Sequence, residues 1–151
     1  MEVKIKKLHS SSHIPAYRYS THSRIDLFAY LEGPVLLHPG TRKSISAGIA
    51  IDLPAGTEAQ FRPNRSMAVN FGITILDTPY ILGEGYHDNI EVLLINLGER
   101  GFSVKPGMVI AQMAIKLAHQ PDCHLTEESE ESVNLLQSIE SPRAAAMAQI
   151  P

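Results

Sequence analysis

Short apolar runs recur at even spacing along this chain, each closed by a glycine or proline turn. That punctuation restricts the fold more than any other feature. Residues 3–6 alternate apolar and charged, as a half-buried strand does. Residues 25–29 and 35–37 follow, the second run ending on His38-Pro39-Gly40. Residues 45–53 alternate and turn at Pro54-Ala55-Gly56, while Pro63 limits the run over 58–62. Runs at 73–76, 90–96, 102–104 and 109–115 complete the series, with a hairpin-like connection over 97–101. The 90–96 run is the strongest and reads as deeply buried, with 92–95 a candidate for burial between subunits. Many short strands of this kind predict an all-β antiparallel barrel or jelly roll. One short helix is expected over 66–70, after Asn64 or Arg65.

Composition changes near residue 120. We therefore expect a β-barrel domain over 1–120 and an acidic, Ala-rich tail over 121–151. In the tail, Thr126 is suited to cap a helix and Glu127, Glu128, Glu130 and Glu131 suit its first turn. Val133, Leu135, Leu136 and Ile139 form an apolar stripe and Pro142 stops the pattern, so a short helix is expected over about 127–140.

A chain of 151 residues is expected to be one domain able to bury its own core. The formal charge of −3 offers no general attraction to nucleic acid or an anionic membrane. No apolar run approaches the ~20 residues needed to cross a bilayer, and Lys4, Lys6 and Lys7 do not lead into a secretory apolar core. Cys123 is the only cysteine, which excludes an intrachain disulfide and fits a cytoplasmic protein. The seven histidines show no metal-ligand spacing.

Several short stretches carry chemistry. They read Ser23-Arg24-Ile25-Asp26-Leu27-Phe28-Ala29, Arg62-Pro63-Asn64-Arg65-Ser66-Met67-Ala68, Tyr80-Ile81-Leu82-Gly83-Glu84-Gly85-Tyr86 and Gly107-Met108-Val109-Ile110-Ala111-Gln112. Together they resemble the motifs of trimeric dUTPases, the deoxyuridine-triphosphate nucleotidohydrolases, over most of the chain. The resemblance implies a homotrimer and a pyrimidine deoxynucleotide as ligand. It implies Mg²⁺ only where a nucleoside triphosphate is bound, since the ion is then held mainly by phosphate and water. Asp26 belongs to the polar network beside the triphosphate. Asn64, Arg65 and Ser66 correspond to the phosphate-binding stretch, whose logic is anion capture by N–H groups, a hydroxyl and a guanidinium at a helix start. Gln112 matches a phosphate-contacting Gln. Tyr86 matches a ring that packs under the deoxyribose.

The chain departs from the family pattern in places. Gly83 stands where the family has the Asp that activates water, Asn64 where it has a phosphate-binding Arg, and Val109 where it has a second Arg. Glu84 is the one carboxylate beside the vacant position. The glycine-rich closing segment is absent, since no glycine follows Gly107. These departures imply a fold kept with dUTP hydrolysis lost or weakened, leaving a nucleotide-binding or protein-interaction role with a possible protein partner. The alternative is an active Mg²⁺-dependent pyrophosphatase for dUTP or a modified pyrimidine nucleotide, its site rearranged around Asp26, Arg65, Glu84 and Gln112. A third reading, through Lys105-Pro106-Gly107-Met108, is a relative of dCTP deaminases, but Leu93 then occupies the catalytic Glu position and cannot relay protons.

Overall fold

The computed structural model describes residues 2–17, 23–119 and 121–123. The chain divides into two compact units, Met1–His119 and Gln120–Pro151, and the first carries the elements below. The helix expected over 127–140 and its apolar stripe lie outside the described residues.

Strands β1 (Lys4–Lys7), β2 (Ala16–Tyr17), β3 (Ile25–Phe28), β4 (Val35–Leu37), β5 (Arg42–Ser46), β6 (Ile49–Asp52) and β7 (Thr57–Pro63) come first. Helix α1 (Arg65–Phe71) follows, then β8 (Ile73–Ile75), β9 (Tyr80–Gly83), β10 (Glu91–Asn96), β11 (Phe102–Val104) and β12 (Val109–Leu117). All the pairings are antiparallel. The largest sheet runs β2-β3-β12-β7-β9, beside β5-β10-β8 and the two-stranded pairs β1-β6 and β11-β4. The all-β antiparallel architecture is the one expected from the sequence.

Alternation decides which face of each strand is buried. On β7, Thr57, Ala59 and Phe61 point into the core, while Glu58, Gln60 and Arg62 take the other face. The outward residues form a ladder: Arg62 Nη2 donates to Gln60 Oε1 at 3.0 Å, and Gln60 Nε2 donates to Glu58 Oε1 at 2.6 Å. The inward residues join Leu27 of β3 and Met113 of β12 in one core with Ile45, Ile49, Ile75 and Ile90.

Strand β10 corrects one expectation. Val92 and Leu94 are 0% and 1% exposed within the single chain, so they belong to its own core and not to a subunit interface. Leu93 and Ile95, on the opposite face, are half-buried. Strands β5 and β8 pair along the two edges of β10, and an apolar run in sequence does not tell which of its residues turn to the chain's own core.

At the end of α1 the backbone turns through Gly72, whose φ of 70° lies in the left-handed region that glycine tolerates. A Cβ there would sit 2.6 Å from Gly98 N. This close approach seats the end of α1 against the β10–β11 connection, where Leu97 N donates to Gly72 O at 2.9 Å. It also brings the Phe71 and Phe102 rings to 5.1 Å.

Candidate functional site

Helix α1 begins where Pro63 ends β7. Asn64 is its N-cap, in an extended conformation, and its Oδ1 accepts from Ser66 N at 2.9 Å and Met67 N at 3.2 Å. Asn is among the best residues for this role because its short side chain reaches the first-turn N–H groups. The cap has a chemical consequence. Two N–H groups that a helix start would offer to an anion are already occupied, so capture of phosphate here falls to side chains. Those are the Arg65 guanidinium and the Ser66 hydroxyl, which itself accepts from Asn70 Nδ2 at 3.1 Å.

Gln112 lies on β12, in register with Asp26 of β3 on one side and Arg62 of β7 on the other. Its Nε2 donates to Asp26 Oδ1 at 3.2 Å. Asp26 is 6% exposed. The bond fixes the amide of Gln112, which lines a groove of about 770 Å³ with the polar residues Asn64, Arg65, Ser66 and Asn70. Its apolar lining is Met67, Val69, Phe71, Phe102, Met108 and Val109. Four of the residues predicted from sequence thus line one groove, and a fifth, Asp26, holds one of them.

Glu84 stands apart. Strand β9 runs antiparallel to β7 with Tyr80 opposite Phe61 and Gly83 opposite Glu58. Gly83 and Glu84 therefore lie at the end of β7 away from Asn64. At about 3.3 Å per residue the two ends of this strand are roughly 20 Å apart. Glu84 Oε2 accepts from Gly56 N at 2.5 Å, which ties the β9–β10 loop to the turn before β7. The other oxygen, Oε1, is left for solvent or ligand.

Tyr86 does not line the groove either. Its phenol donates to Asn89 O at 2.9 Å, and Asn89 in turn exchanges hydrogen bonds with Ser46 Oγ at 3.0 and 3.1 Å. The ring centroid of Tyr80 lies 5.2 Å from that of Phe61, and its phenol pKa is pushed up from 10.0 to about 12, chiefly by burial and then by its interactions with Tyr86. A phenol that stays protonated donates to Tyr86 and keeps the chain Tyr80–Tyr86–Asn89 intact. The unfolded chain loses this proton near 10 and the folded chain near 12, so stability falls as pH rises through that interval. Thermal melts in a pH series are expected to show a shallower fall for Tyr80→Phe than for the wild type; parallel curves would contradict the assignment.

Arg62 opens the Arg62-Pro63-Asn64 motif stretch but was not singled out as a site residue. The signal was present in the alternation of Glu58, Gln60 and Arg62, which puts Arg62 on the polar face of β7. Only the register with β12 sets it opposite Gln112.

The structure defines an antiparallel β fold with a polar groove beside a helix-capped strand end, and comparison with known proteins gives the family. The dUTPase family model matches residues 10–141. The deoxyuridine 5'-triphosphate nucleotidohydrolase of Clostridium kluyveri is 44% identical over 120 residues, covering 80% of this chain and 82% of the relative. That of Syntrophotalea carbinolica is 35% identical over 130 residues, covering 86% and 88%. Among solved structures, a point mutant of the dUTPase from phage phi11 of S. aureus, described as coordinating a structural Mg(II) ion, superposes with a TM-score of 0.77 at 17% identity, covering 86% of this chain and 99% of that one. This chain belongs to the dUTPase family.

That kinship corrects the expectation of a fold kept with its hydrolysis lost or weakened. The relatives carry the name of the working hydrolase while sharing 44% and 35% of their aligned residues with this chain over most of its length. They favour the alternative, an active hydrolase.

Proposed function

We propose that the protein hydrolyses dUTP, or a closely similar pyrimidine deoxynucleoside triphosphate, to the monophosphate and pyrophosphate. The groove carries this reading: a guanidinium, a hydroxyl and a carboxylate-held amide converge there, in a chain whose relatives are dUTP nucleotidohydrolases. Arg65, Ser66 and Gln112 bind the phosphate oxygens. Asp26 positions Gln112 so that its amide is presented in one orientation.

Glu84 supplies the carboxylate. Its Oε2 is anchored by Gly56 N–H, and Oε1 accepts a proton from the attacking water. The water oxygen bonds to the α-phosphorus, the bond from that phosphorus to the α,β-bridging oxygen breaks, and pyrophosphate leaves with the bonding pair. Anchoring by a backbone N–H keeps the carboxylate oriented without neutralising it. Tyr86, held through Asn89, forms the surface against which the sugar rests.

Because Glu84 and the Asn64–Gln112 groove lie at opposite ends of β7, one chain cannot bring both to one phosphorus. The complete site then forms between copies, in a homotrimer whose groove faces the Glu84 loop of a neighbouring protomer. Among the described residues no group of three or more His, Cys, Asp or Glu could hold a metal ion. Mg²⁺ arrives with the triphosphate, with Asp26 as the nearby carboxylate. The ion supplies charge neutralisation to the phosphates when bound. No helix among the described residues is long and apolar enough to cross a membrane, and the reading places the protein in the cytoplasm.

The test is pyrophosphate release from each deoxynucleoside triphosphate and from UTP in the presence of Mg²⁺. Turnover is expected to be fastest with dUTP and to stop when EDTA is added. Absence of pyrophosphate release from every nucleotide would overturn the reading. Light scattering should give the mass of three chains; a monomer would remove the shared site.

A further inference from the structure

We propose that Arg62 is a second phosphate-binding guanidinium of this groove, working beside Arg65; the inference rests on reading the groove as a nucleoside triphosphate site. Strand register carries it. Asp26, Gln112 and Arg62 are successive partners across β3, β12 and β7. Residues directly opposite in an antiparallel pair share a face, with Cβ atoms about 4.5–5.5 Å apart. Gln112 is part of the groove wall, so Arg62 stands next to that wall on the same side of the sheet.

Charge decides between a structural role and a ligand role. Arg65 is the only charged residue lining the groove among the described residues. One positive charge is poor recognition for a triphosphate that carries several negative charges. Arg62 adds a second. The guanidinium of Arg62 is exposed, and its hydrogen bond goes to the neutral amide of Gln60 at 3.0 Å. The carboxylate on the same face of β7, that of Glu58, accepts from Gln60 Nε2 at 2.6 Å. An exposed bond to a neutral amide exchanges readily for one to an anionic phosphate, which is roughly twice as strong and can be bidentate. The guanidinium that motif spacing finds missing at Asn64 is thus provided two residues earlier, on the strand.

Titration calorimetry on the intact protein tests this with three probes: dUMP, a non-hydrolysable α,β-imido analogue of dUTP, and inorganic tripolyphosphate. Arg62→Gln is expected to weaken the analogue and tripolyphosphate by roughly tenfold or more, and dUMP much less. Arg62→Lys is expected to recover part of that loss, because it restores the charge without the planar fork. Equal affinity of Arg62→Gln and wild type for the polyphosphate probes would overturn the assignment, as would failure of the wild type to bind tripolyphosphate. The outcomes separate the two readings. Arg62-dependent tripolyphosphate binding without dUTP turnover keeps the anion site and sinks the reaction. Turnover of dUTP with unchanged binding by Arg62→Gln keeps the reaction and sinks the role of Arg62.

Discussion

Replacing Glu84 with Gln is expected to lower the turnover of dUTP by about 10²–10⁴-fold, the range typical of a positioned general base. The substitution isolates the proton-accepting role. A Gln carbonyl oxygen still accepts from Gly56 N–H as Glu84 Oε2 does, so the β9–β10 loop keeps its tie to the turn before β7. The amide cannot take a proton from water. KM is therefore expected to stay near its wild-type value while kcat falls. If Glu84 serves only to brace the loop, the change is a weakened hydrogen bond to a charged acceptor. That costs at most about 1.5–3 kcal/mol of stability and leaves the rate intact. Steady-state kinetics together with a thermal melt distinguish the two. Wild-type turnover by Glu84→Gln would assign water activation to another group.

The second large effect is on folding. Asn96, the last residue of β10, is 0% exposed. Its Nδ2 donates to Leu37 O at 2.9 Å and to Arg100 O at 2.8 Å, and its Oδ1 accepts from Gly98 N at 2.9 Å. One side chain thus joins β4, β10 and the β10–β11 connection. Asn96→Asp keeps the acceptor but turns both donors into an anion facing two carbonyl oxygens. Each buried group left unpaired costs about 1–3 kcal/mol, so the expected loss is about 2–6 kcal/mol. Against a total stability of about 5–15 kcal/mol for a domain, this approaches unfolding.

The sign of the pH dependence is also set. Burial beside two carbonyls favours the protonated carboxyl, so its folded-state pKa rises above the unfolded value. Stability of the variant is therefore recovered as pH falls through that raised value. Urea titrations at neutral and acid pH measure both effects, and a loss below about 1 kcal/mol would mean that water replaces the lost contacts. Because Gly98 also packs against the end of α1, the same variant is expected to loosen the Phe71–Phe102 wall of the groove.

Much of the fold was legible because alternation and turn chemistry are local. The core-facing residues of β7 and β10 follow a period of two, and Asn64 ahead of a short helix is a capping signal that chain order preserves. Strand β9 was missed as a strand. Its Tyr80–Gly83 stretch is short and runs into Glu84-Gly85, so its apolar residues read as part of a loop motif until β7 supplies a partner. The candidate groove was legible in part. Motif spacing named Arg65, Ser66, Gln112 and Asp26, which the register of three strands then gathers. It also named Glu84 and Tyr86, which the same register separates from the groove.

Local patterns in the chain were enough to establish an antiparallel β protein of the dUTPase family with a capped helix beside a polar strand end. They record which residue types are available and which face of a strand each takes. They do not record which strands become neighbours. Pairing across β3, β12 and β7 decided that Gln112 lies between Asp26 and Arg62, and pairing of β7 with β9 decided that Glu84 faces the far end. Those distances depend on backbone hydrogen bonds between segments remote in sequence, and such bonds are specified by the packing of the whole core.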